Sequence, residues 1–245
     1  VREEMRRMPA KKPLIVSGTF AQRQGVYFKF KQSTQVSLEG IKVIEFSTMI
    51  TASFAAMMLA EQGAEIIKVE PIELGDPMRF LGSSKGGISA LFANCNRGKK
   101  SLRLDIKQDA GKDIIKALIK DTDVLLCNFR PGVMDRLGFD YETMKNINPG
   151  IIYASINGVG QTGPYAKRRV YDAIIQAISG VATLQADPSK ERPIMVNTLI
   201  CDKLTSLVSA QAISSALYNR SQTGLGQRID VAMLDAALFF LWPDN

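Results

Sequence analysis

Not one of the 245 residues is a histidine. That absence removes Ser-His-Asp and Cys-His catalysis, the HExxH zinc proteases and every imidazole proton shuttle. Chemistry in this chain must run on carboxylates, hydroxyls, amides, lysines or backbone groups. Among the carboxylates Asp202 stands out. It follows the apolar run Leu199-Ile200-Cys201 and opens a segment that carries Leu204, Leu207, Val208 and Ala212 at helical spacing. A carboxylate in that place is ordinarily an N-cap. The same helix N-terminus lowers a carboxylate pKa and keeps the group charged, which suits a nucleophile.

Two segments have the composition of anion-binding loops. Asn96-Arg97-Gly98-Lys99-Lys100 gathers three cations and a glycine, and it leads into Leu104-Asp105-Ile106-Lys107. Lysine supplies a point charge there, and glycine lets backbone N–H groups approach a phosphate. Taken alone, it fits an ordinary solvated loop as well. Asn128-Phe129-Arg130-Pro131-Gly132 falls where a parallel strand would deliver its C-terminal end, the edge at which open α/β sheets bind ligands.

Other motifs fail on inspection. Gly158-Val159-Gly160-Gln161-Thr162-Gly163 fits G-x-G-x-x-G, but Pro164-Tyr165 follows where a helix should open. No carboxylate stands about 20 residues on to hold a ribose. The segment reads as a glycine-rich turn after a strand. Gly98-Lys99-Lys100-Ser101 lacks the spacing of a phosphate loop. Cys95, Cys127 and Cys201 form no CxxC pair and have no metal-ligand spacing. They read as small core hydrophobes in a reducing compartment, and no metal site is expected.

The elements that must position these residues alternate in type. Ile41–Phe46, Ala64–Glu70, Asp123–Phe129 and Ile151–Ile156 are short β-branched runs expected to be buried strands. Between them, Phe54–Gln62, Gln108–Lys120 and Tyr141–Ile147 have helical spacing. After residue 170 the spacing predicts helices over Tyr171–Leu184 and Asp202–Asn219. A strand at Gln227–Val231 and an apolar helix from Ala232 follow. Strand-helix-strand alternation implies parallel pairing with right-handed crossovers, hence an α/β fold with a parallel Rossmann-like sheet flanked by helices.

Charge adds one boundary. The chain carries 31 Lys and Arg against 24 Asp and Glu, a formal +7. Eight basic and two acidic residues fall in residues 1–38, so the remaining 207 carry 23 and 22, a net of +1. A basic body is therefore missing, and no nucleic-acid partner is expected. Residues 1–38 read as a basic extension, disordered or transit-like, ahead of a body at 39–245. No apolar run reaches the roughly 18 residues of a membrane-spanning helix, so a soluble, cytoplasmic protein without a membrane partner is expected.

As an ordered set, these segments resemble the class III CoA-transferases, the CaiB/BaiF family. The resemblance starts at Leu38-Glu39-Gly40-Ile41-Lys42-Val43-Ile44-Glu45-Phe46 and continues through Gly63–Pro71, Gly75-Asp76-Pro77-Met78-Arg79 and Asn96–Lys107. It then takes in Asn128–Gly132, Arg136-Leu137-Gly138-Phe139, Gly158–Pro164 and Thr223-Gly224-Leu225-Gly226-Gln227. The resemblance implies a CoA-transferase that moves CoA from an acyl-CoA thioester to a small carboxylic acid. It implies an aspartyl mixed anhydride and an aspartyl-CoA thioester on the way, with CoA as substrate and no separate cofactor. The family's catalytic aspartate falls on Asp202. Its CoA-contacting positions fall on Met49 and Ile50, then on Leu104, Asp105, Ile106 and Lys107. Asn128, Phe129 and Arg130 follow, with Arg136 and with Arg169, Val170 and Tyr171. The resemblance also implies an interlocked homodimer.

Departures from the family pattern set further expectations. An arginine that contacts CoA in some members is Pro71 here, so Arg97, Lys99, Lys100 or Lys107 would carry more of the phosphate charge. An aromatic position near the active site is Leu91. The family continues past this chain's end into a glycine-rich loop and a smaller domain, so the large domain is expected to be truncated at its C-terminus. Two alternatives stay open: a non-catalytic homologue that binds CoA or a partner chain, and an acyl-CoA racemase or isomerase. The racemases pair a histidine with the aspartate; Tyr171 occupies that position, and a phenol ionising near about pH 10 is a poor base at neutrality.

Overall fold

The computed structural model describes residues 36–187, 189 and 192–242. The expected extension lies outside the described residues except at its end, where Leu38 is buried and donates its N–H to Gln62 O at 2.8 Å. In chain order the first elements are β1 (Lys42–Phe46), α1 (Thr51–Glu61) and β2 (Glu65–Glu70). A 3-10 turn at Pro77–Phe80 and a small antiparallel hairpin, β3 (Ser84–Lys85) with β4 (Ile88–Ser89), follow. Next come α2 (Ala90–Asn96), β5 (Lys100–Arg103), α3 (Asp109–Ile119) and β6 (Val124–Cys127). The chain continues through α4 (Val133–Leu137), α5 (Tyr141–Ile147) and β7 (Ile152–Asn157). It closes with α6 (Asp172–Ser179), α7 (Val181–Leu184), α8 (Ile200–Thr223), β8 (Arg228–Ala232) and α9 (Met233–Leu241).

Six of these strands form one sheet in the order β5-β2-β1-β6-β7-β8, and each pairing is parallel. Strands buried on both faces read as continuous apolar runs, and the pleat sorts their side chains alternately. On β6, Val124 and Leu126 face the layer of α1 and α8, while Leu125 and Cys127 face that of α3 and α5. On β7, Ile152, Ala154 and Ile156 face the first layer and Tyr153 the second. Ala52, Ala55 and Ala56 keep α1 thin enough to lie close to α8, where Ser206 Oγ donates to Thr51 O at 2.7 Å. Among the described residues no helix is long and apolar enough to cross a membrane.

The sheet is wound twice. From β1 the chain moves outward through β2 to β5, then returns to the other side of β1 for β6, β7 and β8. The reversal lies between β1 and β6, paired from Val43↔Val124 to Phe46↔Cys127. In an open parallel sheet, that is where the loops diverge and leave a crevice at the C-terminal ends of the strands.

Several element boundaries differ from the sequence expectation, each for a local reason. Lys100–Arg103, expected as loop, is the edge strand β5; an edge strand in water can be polar, so it shows no apolar run. The helix expected over Tyr171–Leu184 is two, broken at Gly180, whose φ of 95° ends α6. Helix α8 starts at Ile200 rather than at Asp202, because the apolar residues before the aspartate are already helical.

Candidate active site

The crevice at the reversal point is a cleft of about 300 Å³. Its walls are Thr48–Thr51 between β1 and α1, Asn128–Pro131 after β6, Ile156–Gly158 at the end of β7, and Arg168–Tyr171 ahead of α6. Asp202 of α8 and Met233 of α9 also line it. The glycine at 158 has a packing reason: a Cβ there would stand 1.9 Å from Val170 Cγ2, so only a bare backbone lets the Arg168–Tyr171 segment close against β7.

Asp202 is the third residue of α8 and caps nothing; Leu199 is the capping residue, and it makes no side-chain cap bond. The expectation of a lowered pKa is overturned. Burial, reinforced by the nearby Asp172 carboxylate, pushes the Asp202 carboxyl up to about 7. Desolvation disfavours the charged form, and a like charge adds to that; together they outweigh the helix terminus. Asp172 is itself buried at the first turn of α6, where Oδ2 accepts the Asp202 N–H at 3.0 Å and Oδ1 accepts Gln176 Nε2. Gln176 Oε1 in turn accepts the Val196 N–H at 2.8 Å. One buried carboxylate thus ties the starts of α6 and α8 together and sets the potential at Asp202. Asp172→Asn should therefore lower the pH at which Asp202 titrates. A ¹³C NMR titration of the side-chain carboxyls checks this, and an unmoved midpoint would assign the whole rise to burial.

The cleft wall after β1 is held from both sides. Asn128 Oδ1 accepts the Thr48 N–H at 3.0 Å, and its Nδ2 donates to Thr48 O at 2.7 Å and Thr51 Oγ1 at 3.0 Å. Met49 has a φ of 62°, a left-handed conformation uncommon for a side-chain-bearing residue, and its N–H reaches Asp76 Oδ1 at 3.3 Å. Behind Asp76 lies a buried charge cluster. Lys68 Nζ contacts Asp76 Oδ2 at 3.0 Å, Glu45 Oε1 at 2.8 Å and the hydroxyls of Ser47 and Ser53. Lys99 Nζ contacts Glu45 Oε2 at 2.6 Å, Ser53 O at 2.8 Å and Asn96 Oδ1 at 3.0 Å.

The expected site residues therefore divide. Met49, Ile50, Asn128, Phe129, Arg130, Arg169, Val170, Tyr171 and Asp202 line one cleft. Leu104, Asp105, Ile106 and Lys107 do not; they follow β5, two strands beyond β1, although on the same edge of the sheet. Arg136 lies on α4, outside the cleft walls. Lys99 corrects the expectation of a phosphate-facing cation: its side chain is 2% exposed and committed to Glu45, and burial lowers its pKa to about 8. Arg97 pairs with Glu61, and Lys100 with Glu65. Among the described residues, the cations that line the cleft are Arg130, Arg168 and Arg169, all exposed.

A model of CoA-transferase family III matches residues 38–244. The chain belongs to that family. An acetyl-CoA:oxalate CoA-transferase of Acetobacter aceti is 41% identical over 203 residues, covering 83% of this chain and 52% of the relative. A succinate–glutarate CoA-transferase of Agrobacterium fabrum is 38% identical, covering 85% and 54%. Among solved structures, a CaiB/BaiF family protein from Brucella suis superimposes with a TM-score of 0.80 at 38% identity, covering 84% of this chain and 56% of that one. This family III chain spans about half the length of the curated relatives it matches.

Within the family III fold, sequence reasoning missed Arg168, Asn157, Met233 and Asp172. The signal for Asp172 was present: an aspartate one residue into an apolar helix with glutamine four residues on, a spacing that puts both on one face. Asn157 and Met233 gave none, because each ends or follows a strand whose length the sequence left open by a residue.

Proposed function

We propose that the protein transfers CoA from an acyl-CoA thioester to a small carboxylic acid, with Asp202 as the covalent carrier. One observation supports this most: a carboxylate raised to about 7 shares a cleft with three exposed guanidiniums at the reversal point of a parallel sheet. The guanidiniums suit a polyanionic ligand, and the carboxylate suits attack on an electrophilic carbon.

The Asp202 carboxylate adds to the thioester carbonyl, the C–S bond breaks and CoA leaves as thiolate. The product is a mixed anhydride. The thiolate then attacks the aspartyl carbonyl, releasing the first carboxylate and leaving an aspartyl-CoA thioester. The incoming acid repeats both exchanges in reverse. With a pKa of about 7, Asp202 is about half ionised at neutral pH, and in that form every nucleophile of the sequence is an anion, so no histidine is needed to activate one. A carboxylate desolvated to a pKa of about 7 is also a better nucleophile than a solvated one. From β6 to β5 the sheet edge crosses three strand spacings, roughly 14 Å at about 4.8 Å each. An extended CoA could lie along that edge, from the cleft toward Leu104–Lys107. The proposal extends to a cytoplasmic, homodimeric protein, in which a second copy completes the exposed apolar surfaces of α8 and α9.

Incubation with an acyl-CoA followed by hydroxylamine should convert Asp202 to its hydroxamate, read as a mass change on its tryptic peptide. An unmodified peptide from a preparation that turns over acyl-CoA would overturn the assignment. Binding of CoA with no turnover and no hydroxamate would favour a second reading, CoA binding without transfer.

A further inference from the structure

Gln176 stands on α6 among the apolar neighbours Ile174, Ile175, Ala177 and Ile178, and it is 2% exposed. A primary amide so buried must have both arms satisfied. Both are, and the partner fixes the identity of each. The Val196 N–H lies 2.8 Å from one arm, and a backbone N–H only donates, so that arm is Oε1. The other arm meets acceptors alone: Asp172 Oδ1 at 2.5 Å, Thr198 O at 3.2 Å and Val196 O at 3.3 Å. It is therefore Nε2. These bonds fall where α8 lacks support of its own. Residues 193–199, which run into α8, form no helix or strand and are exposed except at Val196. Leu199 caps α8 with no side-chain bond, while Asp172 Oδ2 accepts the Asp202 N–H at 3.0 Å. One amide thus grips both the run-in to α8 and the carboxylate that receives its first turn.

On the reading of Asp202 as the covalent carrier, we infer that Gln176 is its positioning residue, acting through Asp172 and through the chain that enters α8. Gln176 lines no part of the cleft, so these two contacts are its route to the carboxylate. Neither near-isostere serves. Glutamate would set a carboxylate oxygen against three acceptors. Methionine would strand the Val196 N–H and remove the donor at Asp172. Position matters because attack on a thioester carbon tolerates little displacement, and about 1 Å can cost a hundredfold in rate.

Two variants separate the arms of the amide. Gln176→Glu keeps the oxygen that the Val196 N–H requires and loses the donor; Gln176→Met loses both. Amide hydrogen exchange, read by NMR, compares Asp202 and Val196 with Ile213, a buried residue further along α8, so that any change in global stability cancels. In Gln176→Glu the Asp202 amide should exchange about tenfold faster on that scale, with Val196 near its wild-type rate. In Gln176→Met both should speed up. An unchanged Asp202 ratio in Gln176→Glu overturns the inference, since Gln176 is then only a clamp on the run-in. Should that variant not fold, Gln176→Met carries the same criterion. Labelling of Asp202 with acetyl-CoA and hydroxylamine supplies the second readout. Its maximal rate should fall about tenfold or more, at an unchanged half-saturating concentration of acetyl-CoA. A raised half-saturating concentration at an undiminished maximal rate overturns the inference too, because Gln176 would then serve binding. A wild-type chain that never labels overturns the carrier reading, and the Asp202 exchange ratio still decides whether Gln176 holds that residue in place.

Discussion

Asp202→Asn should abolish CoA transfer, by about a thousandfold or more, while making the protein more stable. The first effect follows if the carboxylate is the covalent carrier, since an amide of the same shape cannot form the anhydride. The second follows from the position of the carboxylate. Its pKa rises from an ordinary 3.8 to about 7 because burial and Asp172 disfavour its charge. A carboxyl raised in this way costs nothing below its unfolded pKa. The cost grows as pH climbs from 3.8 and is complete above 7. The stability gap between variant and wild type should therefore be near zero at acid pH, widen toward neutrality and level off in mild alkali. Allowing for partial exposure, the plateau is about 1–2 kcal/mol, or roughly 2–8 °C in midpoint. Thermal melts across that pH range check it. A variant that transfers at the wild-type rate would remove Asp202 from the chemistry. One no more stable at pH 8 than at pH 4 would show that the carboxylate is solvated after all.

That result also marks how far sequence reasoning reaches. The spacing that identified β1, β2, β6 and β7 is fixed by burial on both faces, which leaves an unbroken apolar signature. Strand β5 has none, because at the edge of the sheet it needs only to pair on one side. The position of Asp202 in the cleft followed from its order along the chain, but its charge state did not. A helix terminus is local and legible, whereas Asp172 lies 30 residues away and meets Asp202 only once α6 packs on α8. Lys99 shows the same limit in reverse. In sequence it is one of three cations around a glycine; in the fold it is sealed against Glu45, 54 residues earlier. Composition shows how many charges there are, and only packing shows which of them are spent inside.

The largest loss of stability should come from Glu45→Gln. The glutamate is fully buried and faces two ammonium groups, Lys68 at 2.8 Å and Lys99 at 2.6 Å. Burial alone would raise its pKa, but the two lysines outweigh it and hold the carboxyl at about 2. With Glu45 charged, the cluster balances two carboxylates, Glu45 and Asp76, against two ammoniums. The amide leaves one buried ammonium uncompensated, a defect costing about 3–5 kcal/mol, roughly 6–20 °C in midpoint for a domain of this size. Because the glutamate's pKa is depressed, its contribution is complete above 4.5 and is lost as pH falls toward 2, so the deficit should shrink over that window. Adding Lys99→Met to the variant removes the stranded charge and leaves Lys68 paired with Asp76 at 3.0 Å, so the double variant should recover much of the loss. Simple addition of the two single effects would mean that the lysine and glutamate act independently, and the cluster would not be the unit that holds the cleft wall. The cluster also reaches that wall, since Asp76 accepts the Met49 N–H. Glu45→Gln should therefore loosen the Thr48–Ile50 backbone first, as faster amide hydrogen exchange there than in α3, on the far face of the sheet.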